Sequence, residues 1–269
     1  ETVVTTEVSS TEWATTSVTA PVDSGDIGKL IQFGFQNTAG NYAPTGVYYD
    51  NMTATVQSAP EPEPEPTPAP APTADDLFVS EYGEGPSGTA SWGKYLEIAN
   101  FTGAEVSLDG YILGGITNGG DAYEKYVAFT SGATVADGDV WVIGRATDSD
   151  GSPEALYGQI DQVDSNITHN GDDAWHLLKG DADSNTLLDA AIGTSGDDPG
   201  SGFTVCGDGS TANVSMIRKP GIDGAADWAT SAGTDATDCQ WTIIAQDVNA
   251  LDYSGVGNHT FVEPEAANN

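Results

Sequence analysis

Basic residues are scarce. Lys and Arg number 7 in 269 residues against 41 Asp and Glu, a formal net charge of −34. Contacts to phosphate need Lys and Arg, so direct nucleic-acid binding is not expected. Anionic membrane surfaces would repel such a chain. Long apolar runs are also missing, and nothing approaches the roughly 20 residues of a membrane helix, so no membrane insertion is expected. Cysteine is limited to Cys206 and Cys239. An even count in an acidic, Thr/Gly/Asn-rich chain favours a disulfide and an oxidising compartment, with two buried free thiols as the alternative. The chain opens on Glu1 with neither an initiator Met nor a signal-peptide pattern, which reads as a processed or partial chain.

Material for a core is nonetheless plentiful. Hydrophobic residues make up 38% of the chain, with 6 Trp, 10 Tyr and 7 Phe, which argues against disorder of the main body. The surplus carboxylates suit a secreted or salt-exposed protein, kept soluble by charge and able to collect divalent cations.

Helical patterning is nearly absent. Short runs of Thr, Val, Tyr and Ile are broken by Gly, Asp, Asn and Ser, as in strands joined by turns. Strands are expected at Leu77–Tyr82, Lys94–Asn100, Tyr111–Leu113, Tyr126–Phe129, Val140–Gly144, Ala174–Leu178, Leu187–Ile192, Val214–Arg218 and Trp241–Ala245. In KYLEIAN, Tyr95, Glu97 and Ala99 face one way, and Leu96, Ile98 and Asn100 the other. Tight turns are expected at Asp109-Gly110, with Gly in a positive-φ position, and at Asp137-Gly138. An all-β antiparallel sandwich or barrel follows.

Between Ala59 and Thr73 the chain reads APEPEPEPTPAPAPT. Proline at alternate positions cannot join a helix or a central strand, so residues 59–74 form a semi-rigid linker close to polyproline II. Residues 75–262 make the main β-rich body, and 263–269 a disordered tail. Residues 1–58 hold about three strands, near Trp13–Thr19, Lys29–Phe35 and Val47–Val56, too few for a core of their own.

The segment KYLEIANFTGAEVSLDGYIL, Lys94 to Leu113, resembles the signature of the lamin-tail domain family. LFVSEY, YVAFTSGATVADGDVWVIG, NGDDAWHLLKG and TLLDAAIG follow that pattern in order, and DDPGSGF, MIRKPGI and DCQWTIIAQD resemble its extended bacterial version. The resemblance implies an immunoglobulin-like β-sandwich within a large secreted protein, some of which are extracellular nucleases. Upstream, GKLIQFGFQNTAGNYAPTGVYYDN, Gly28 to Asn51, is similar to the closing strands of carbohydrate-binding jelly rolls. In that family the last strand often places an Asp on a structural calcium, and Asp50 matches the position.

Catalytic motifs are not recognisable. His169, His176 and His259 lie in no pattern, and there is no Gly-x-Ser-x-Gly elbow, His-Glu-x-x-His pair or phosphate-cradling loop. His176 reads as an ordinary half-exposed strand residue. The acidic pairs Asp172-Asp173 and Asp197-Asp198 are the sort that chance supplies in so acidic a chain. In GDADSNT, Asp181, Asp183 and Asn185 alternate as in the first half of a calcium loop. Thr186 replaces the usual Gly and Ile192 the closing Glu, which excludes an EF-hand and leaves a weaker calcium site or a polar hairpin turn. Sequons occur at Asn51, Asn100, Asn166, Asn213 and Asn258. Trp92 and Trp228 are candidates to stack on a ligand, against the commoner role of Trp in packing.

The expectation is a non-catalytic extracellular module, bacterial and secreted, for binding, adhesion or anchoring to a polysaccharide, cell-surface or protein partner. An accessory region of an extracellular nuclease or polysaccharide-degrading enzyme is the first alternative. A structural surface or filament subunit is the second.

Overall fold

Tyr95–Asn100 forms the strand its alternation predicts, and both faces of that strand are buried. The computed structural model describes residues 12–13, 15, 17–19, 21–22, 24–30, 50–55, 73–88, 93–147, 149 and 151–261. The chain divides into two units, 1–66 and 67–269. In the first, the described residues include a 3-10 turn at Ser24–Asp26, where Lys29 pairs with Asp26 at 2.8 Å. Part of each of the three strands expected there, most of the linker and the 263–269 tail lie outside the described residues, and none of the described residues of those three segments is in a strand.

The second unit is built from strands in chain order: β1 (Phe78–Gly83), β2 (Tyr95–Asn100), β3 (Val106–Ser107), β4 (Tyr111–Ile116), β5 (Lys125–Ala128), β6 (Thr134–Val135), β7 (Asp139–Gly144), β8 (Gln162–Val163), β9 (Ala174–Gly180), β10 (Asn185–Ile192), β11 (Thr204–Val205), β12 (Gly209–Ser210), β13 (Val214–Arg218) and β14 (Trp241–Ala245). One sheet runs β14-β13-β1-β2-β7-β8, antiparallel but for the short β7–β8 pair. The other runs β10-β9-β4-β5, and two-stranded ribbons join β3 to β6 and β11 to β12. This is an all-β, immunoglobulin-like sandwich. Two short helices, α1 (Glu154–Tyr157) and α2 (Trp228–Ala232), interrupt the β pattern.

Alternation fills the space between the sheets. Val79, Tyr82, Leu96, Ile98, Ile143 and Met216 come from one sheet, and Leu113, Val127, Trp175, Leu177 and Ala190 from the other. At Ser80 a bulge breaks the β1–β2 register, so Val79 opposes Ile98 and Glu81 opposes Glu97. The second face of the six-stranded sheet is covered as well. Tyr95 and Val142 pack with Leu156, Tyr253 and Val256, whereas Phe78 and Ala99 pack with Ala74 and Phe261. A C-terminal strap, residues 247–261, supplies most of that cover.

Some local expectations change. Leu108–Gly110 is a 3-10 turn whose Asp109 N–H is capped by Ser107 Oγ at 3.3 Å, and Gly110 has no positive φ. Gly138 does, at 80°, in the turn closed by Asp139 N–H on Ala136 O. Asn100, the asparagine of a sequon, is buried; its amide donates to Ala104 O and Val135 O at 2.7 and 2.8 Å, so the side chain is structural. Trp228 is packed against Phe203 in the core. Asp227 Oδ2 caps its helix by accepting Thr230 N–H, and burying the indole is what anchors so short a helix. Trp92 lies outside the described residues.

Candidate ligand-binding site

Where strands of both sheets end together, their loops converge on a shared surface. At one end of this sandwich Glu84 follows β1, Lys94 precedes β2, Thr117 and Asn118 follow β4, and Lys125 opens β5. Asp173 precedes β9 and Asn213 precedes β13. With Thr168, Asn170 and the Pro86–Gly88 turn, they line an open cleft of about 490 Å³.

Hydrogen bonds fix this lining. Lys94 is buried, its Nζ 2.9 Å from Glu84 Oε1 and donating to Glu84 O at 3.1 Å. Glu84 Oε2 accepts the N–H of Asn213 at 2.5 Å, and Asp173 Oδ1 that of Asn118 at 3.2 Å. Lys125 Nζ donates to Thr168 Oγ1 at 2.5 Å. Asn118 and Asn213 hold φ of 47° and 57°, a left-handed backbone that asparagine tolerates better than most residues. Such backbones tend to gather at functional sites, and both of these carboxylate-held asparagines line one cleft. Gly85 and Gly93 pass so closely that a Cβ on Gly93 would lie 2.9 Å from Gly85 Cα.

Beneath the cleft lie Tyr82, His169 and Trp175, with ring centroids 4.6 Å apart for Tyr82–His169 and 5.8 Å for His169–Trp175. His169 donates Nε2–H to Gly83 O at 2.5 Å, and burial pushes its pKa down to about 3, so the ring is neutral. The Tyr82 hydroxyl, His169 Nδ1, Trp175 Nε1 and Asp172 Oδ1 find no hydrogen-bond partner in the protein. An unsatisfied buried polar group costs about 1–3 kcal/mol, a cost that an ordered water reaching these atoms would remove. Burial, with the charges of Glu84, Asp173 and Asp172, holds the Tyr82 hydroxyl far above its ordinary range. Burial also raises the Asp173 carboxyl.

A second polar cluster lies under the C-terminal strap. Gln246 Nε2 donates to Ser215 Oγ at 2.9 Å, Ser215 Oγ lies 2.9 Å from the Tyr95 hydroxyl, and Tyr95 donates to Glu81 Oε1 at 2.5 Å. Beside Glu81, Glu97 accepts from Ser80 Oγ at 2.6 Å and from Gly257 N–H at 2.7 Å. Burial pushes Glu81 up to about 8, against the pull of Tyr95 and with help from the charges of Glu97 and Asp252. Burial likewise carries Glu97 to about 7. Glu81 Oε2 has no partner.

The other histidines are structural too. His176 is buried rather than half-exposed, because Tyr123 covers it; its Nδ1 is 2.9 Å from the Tyr123 hydroxyl and its Nε2 faces Gly193 O at 3.1 Å. His259 packs edge-on to Phe78 and Phe101, and burial lowers its pKa to about 4.

Asp181, Asp183 and Asn185 sit at the β9–β10 hairpin. Asp181 Oδ1 accepts the N–H groups of Asp183 and Ser184, both at 2.9 Å, and Asn185 Nδ2 donates to Asp181 O at 2.7 Å. The alternating pattern therefore builds the turn. Asp50 is exposed and accepts Asn51 N–H at 2.8 Å. Among the described residues no group of three or more His, Cys, Asp or Glu is placed to hold a metal, and no helix is long and apolar enough to cross a membrane. Asp172 and Asp173 are buried at the cleft end, whereas Asp197 and Asp198 are exposed. Cys206 and Cys239 form the expected disulfide, 33 residues apart in sequence.

No local sequence pattern joins Glu84, Lys94, Lys125 and Asn118 into one site. Their signal was the placement of scarce lysines at strand starts, visible only once strand ends are known to meet.

An antiparallel sandwich with a polar strand-end cleft is the class of protein that this geometry defines. Residues 70–217 match the lamin tail domain family model, more than half of the chain, and the chain belongs to that family. The match closes within β13, so β14, Cys239 and the strap lie beyond it. A search of curated proteins gave no match.

Proposed function

We propose that this chain is a non-catalytic binding module of a secreted protein, which attaches its parent to a polysaccharide or cell surface through the strand-end cleft. The observation that carries the reading is that cleft: lysines, carboxylates, hydroxyls and amides from both sheets, locked by mutual hydrogen bonds onto a rigid scaffold. Interaction sites on rigid sandwiches are commonly built so. The disulfide fits an oxidising, extracellular setting. The resemblance of Gly28–Asn51 to the closing part of a carbohydrate-binding jelly roll supports the reading. Nucleic acid is not the partner, since Arg218 and Lys94, two of six basic residues in the body, are committed to buried ion pairs.

The test is retention of the full chain on an immobilised panel of polysaccharides and bacterial cell-wall preparations, with the soluble fraction checked for released products. Retention that persists in high salt, without products, is expected. A folded chain that is not retained, or one that degrades a polysaccharide or nucleic acid, would overturn the reading.

A further inference from the structure

The cleft's chemistry also narrows the ligand, on the premise that the chain is a binding module. Its charges cancel: the ammonium groups of Lys94 and Lys125 stand with the carboxylates of Glu84 and Asp173. An anion approaching gains nothing from that balanced lining and meets a net charge of −34 on the way. A cation meets two ammonium groups on arrival. A wholly apolar ligand would leave the hydrogen-bonding groups of Ser87, Thr117, Asn118, Thr168 and Asn170 unpaired.

What remains is a neutral ligand dense in groups that both donate and accept hydrogen bonds. The hydroxyls of Thr117 and Thr168 and the carboxamides of Asn118 and Asn170 offer that same dual capacity. At about 490 Å³ the open cleft admits a small segment of a longer ligand whose remainder stays in solvent. We propose that the cleft binds a neutral saccharide unit, one or two rings of a longer glycan, through Thr117, Asn118, Lys125, Thr168, Asn170 and Asp173. The hydrogen bonds that Asp173 and Thr168 make to Asn118 and Lys125 set these groups before the ligand arrives, which lowers the ordering cost of binding. An open cleft buries only part of a ligand, so the affinity per site is weak, and useful attachment comes from several copies or several modules acting together.

The experiment is a backbone amide NMR titration of the full chain with cellotriose, chitotriose and, as the anionic comparison, tri-galacturonate, each to millimolar concentration. At least one neutral trisaccharide should shift the amides of Thr117, Asn118 and Asn170, and Lys125→Met should weaken that binding several-fold with the rest of the spectrum unchanged. Absence of shifts at these amides with all three probes overturns the site. Shifts with tri-galacturonate alone overturn the neutral ligand. Retention on the polysaccharide panel without shifts in the cleft would sink this inference and leave the binding-module reading standing.

Discussion

Arg218 of β13 and Asp189 of β10 meet across the sandwich at 2.6 Å, both side chains wholly buried. Asp189 also accepts Val79 N–H at 2.9 Å and Ala225 N–H at 3.0 Å. Arg218 gives Nε–H to Val79 O at 2.7 Å, reaches Gln240, and lies 4.2 Å over the Trp241 ring. Removing one partner strands the other charge in the interior, at about 3–5 kcal/mol. Arg218→Met should lower urea-unfolding stability by that order, and the Arg218→Met/Asp189→Leu double variant by clearly less than the two single losses added. Additive losses would show that the two groups act independently.

Stability should fall as pH rises above neutral. Glu81 and Glu97 keep their protons in the folded protein up to about 8 and about 7, against an ordinary 4.5. Between those values the folded state binds more protons than the unfolded one, so their contribution, complete below 4.5, is lost as pH climbs through 7 and 8. His169 and His259 act in the other direction. With pKa values lowered from 6.5 to about 3 and about 4, their contribution is complete above 6.5 and lost as pH falls through those values. Thermal melting should therefore be highest near mildly acidic to neutral pH. Glu81→Gln, isosteric and uncharged, should flatten the alkaline fall, and an unchanged alkaline limb would disprove the assignment.

Reduction of the disulfide should cost about 3–4 kcal/mol, the loop-closure value for a separation of 33 residues. Comparing denaturant unfolding of the oxidised chain with Cys206→Ser/Cys239→Ser measures it. A loss under 1 kcal/mol would mean that neighbouring packing alone holds this corner.

Asp181 acts on the hairpin. Asp181→Ala removes an acceptor for two backbone N–H groups, for a loss of about 1 kcal/mol. Faster amide exchange at Asp183 and Ser184 should accompany it, and protection equal to that of the unaltered chain would contradict the assigned role.

The strands were legible because their signal is local. β13 and β14 fall on the expected residues, and the other main strands within a few. Period-two patterns survive any tertiary context. The cover over Tyr95, Glu97 and Ala99 was not legible, because alternation sorts residues between faces without saying what packs on the second one. For the same reason Glu81 and Glu97 looked like ordinary acidic residues. For Trp228 stacking on a ligand and packing both stood open, and a five-residue helix carries no period to decide between them. For Asp181 and Asn185 residue type alone leaves turn-builder and cation ligand both open. The cleft required knowing which strand ends are neighbours, a property of topology.

Ala74 and Phe261 share one apolar cluster with Phe78, at the end of β1 where the chain enters the sandwich, and the cleft lies past the other end of that strand. Entry and exit are thus side by side, and the cleft is about a strand's length away, roughly 17–20 Å. A domain plumbed this way can be spliced into a longer polypeptide as a side-mounted bead. Ala74 and Phe261 thus both stand at the end of the domain opposite the cleft.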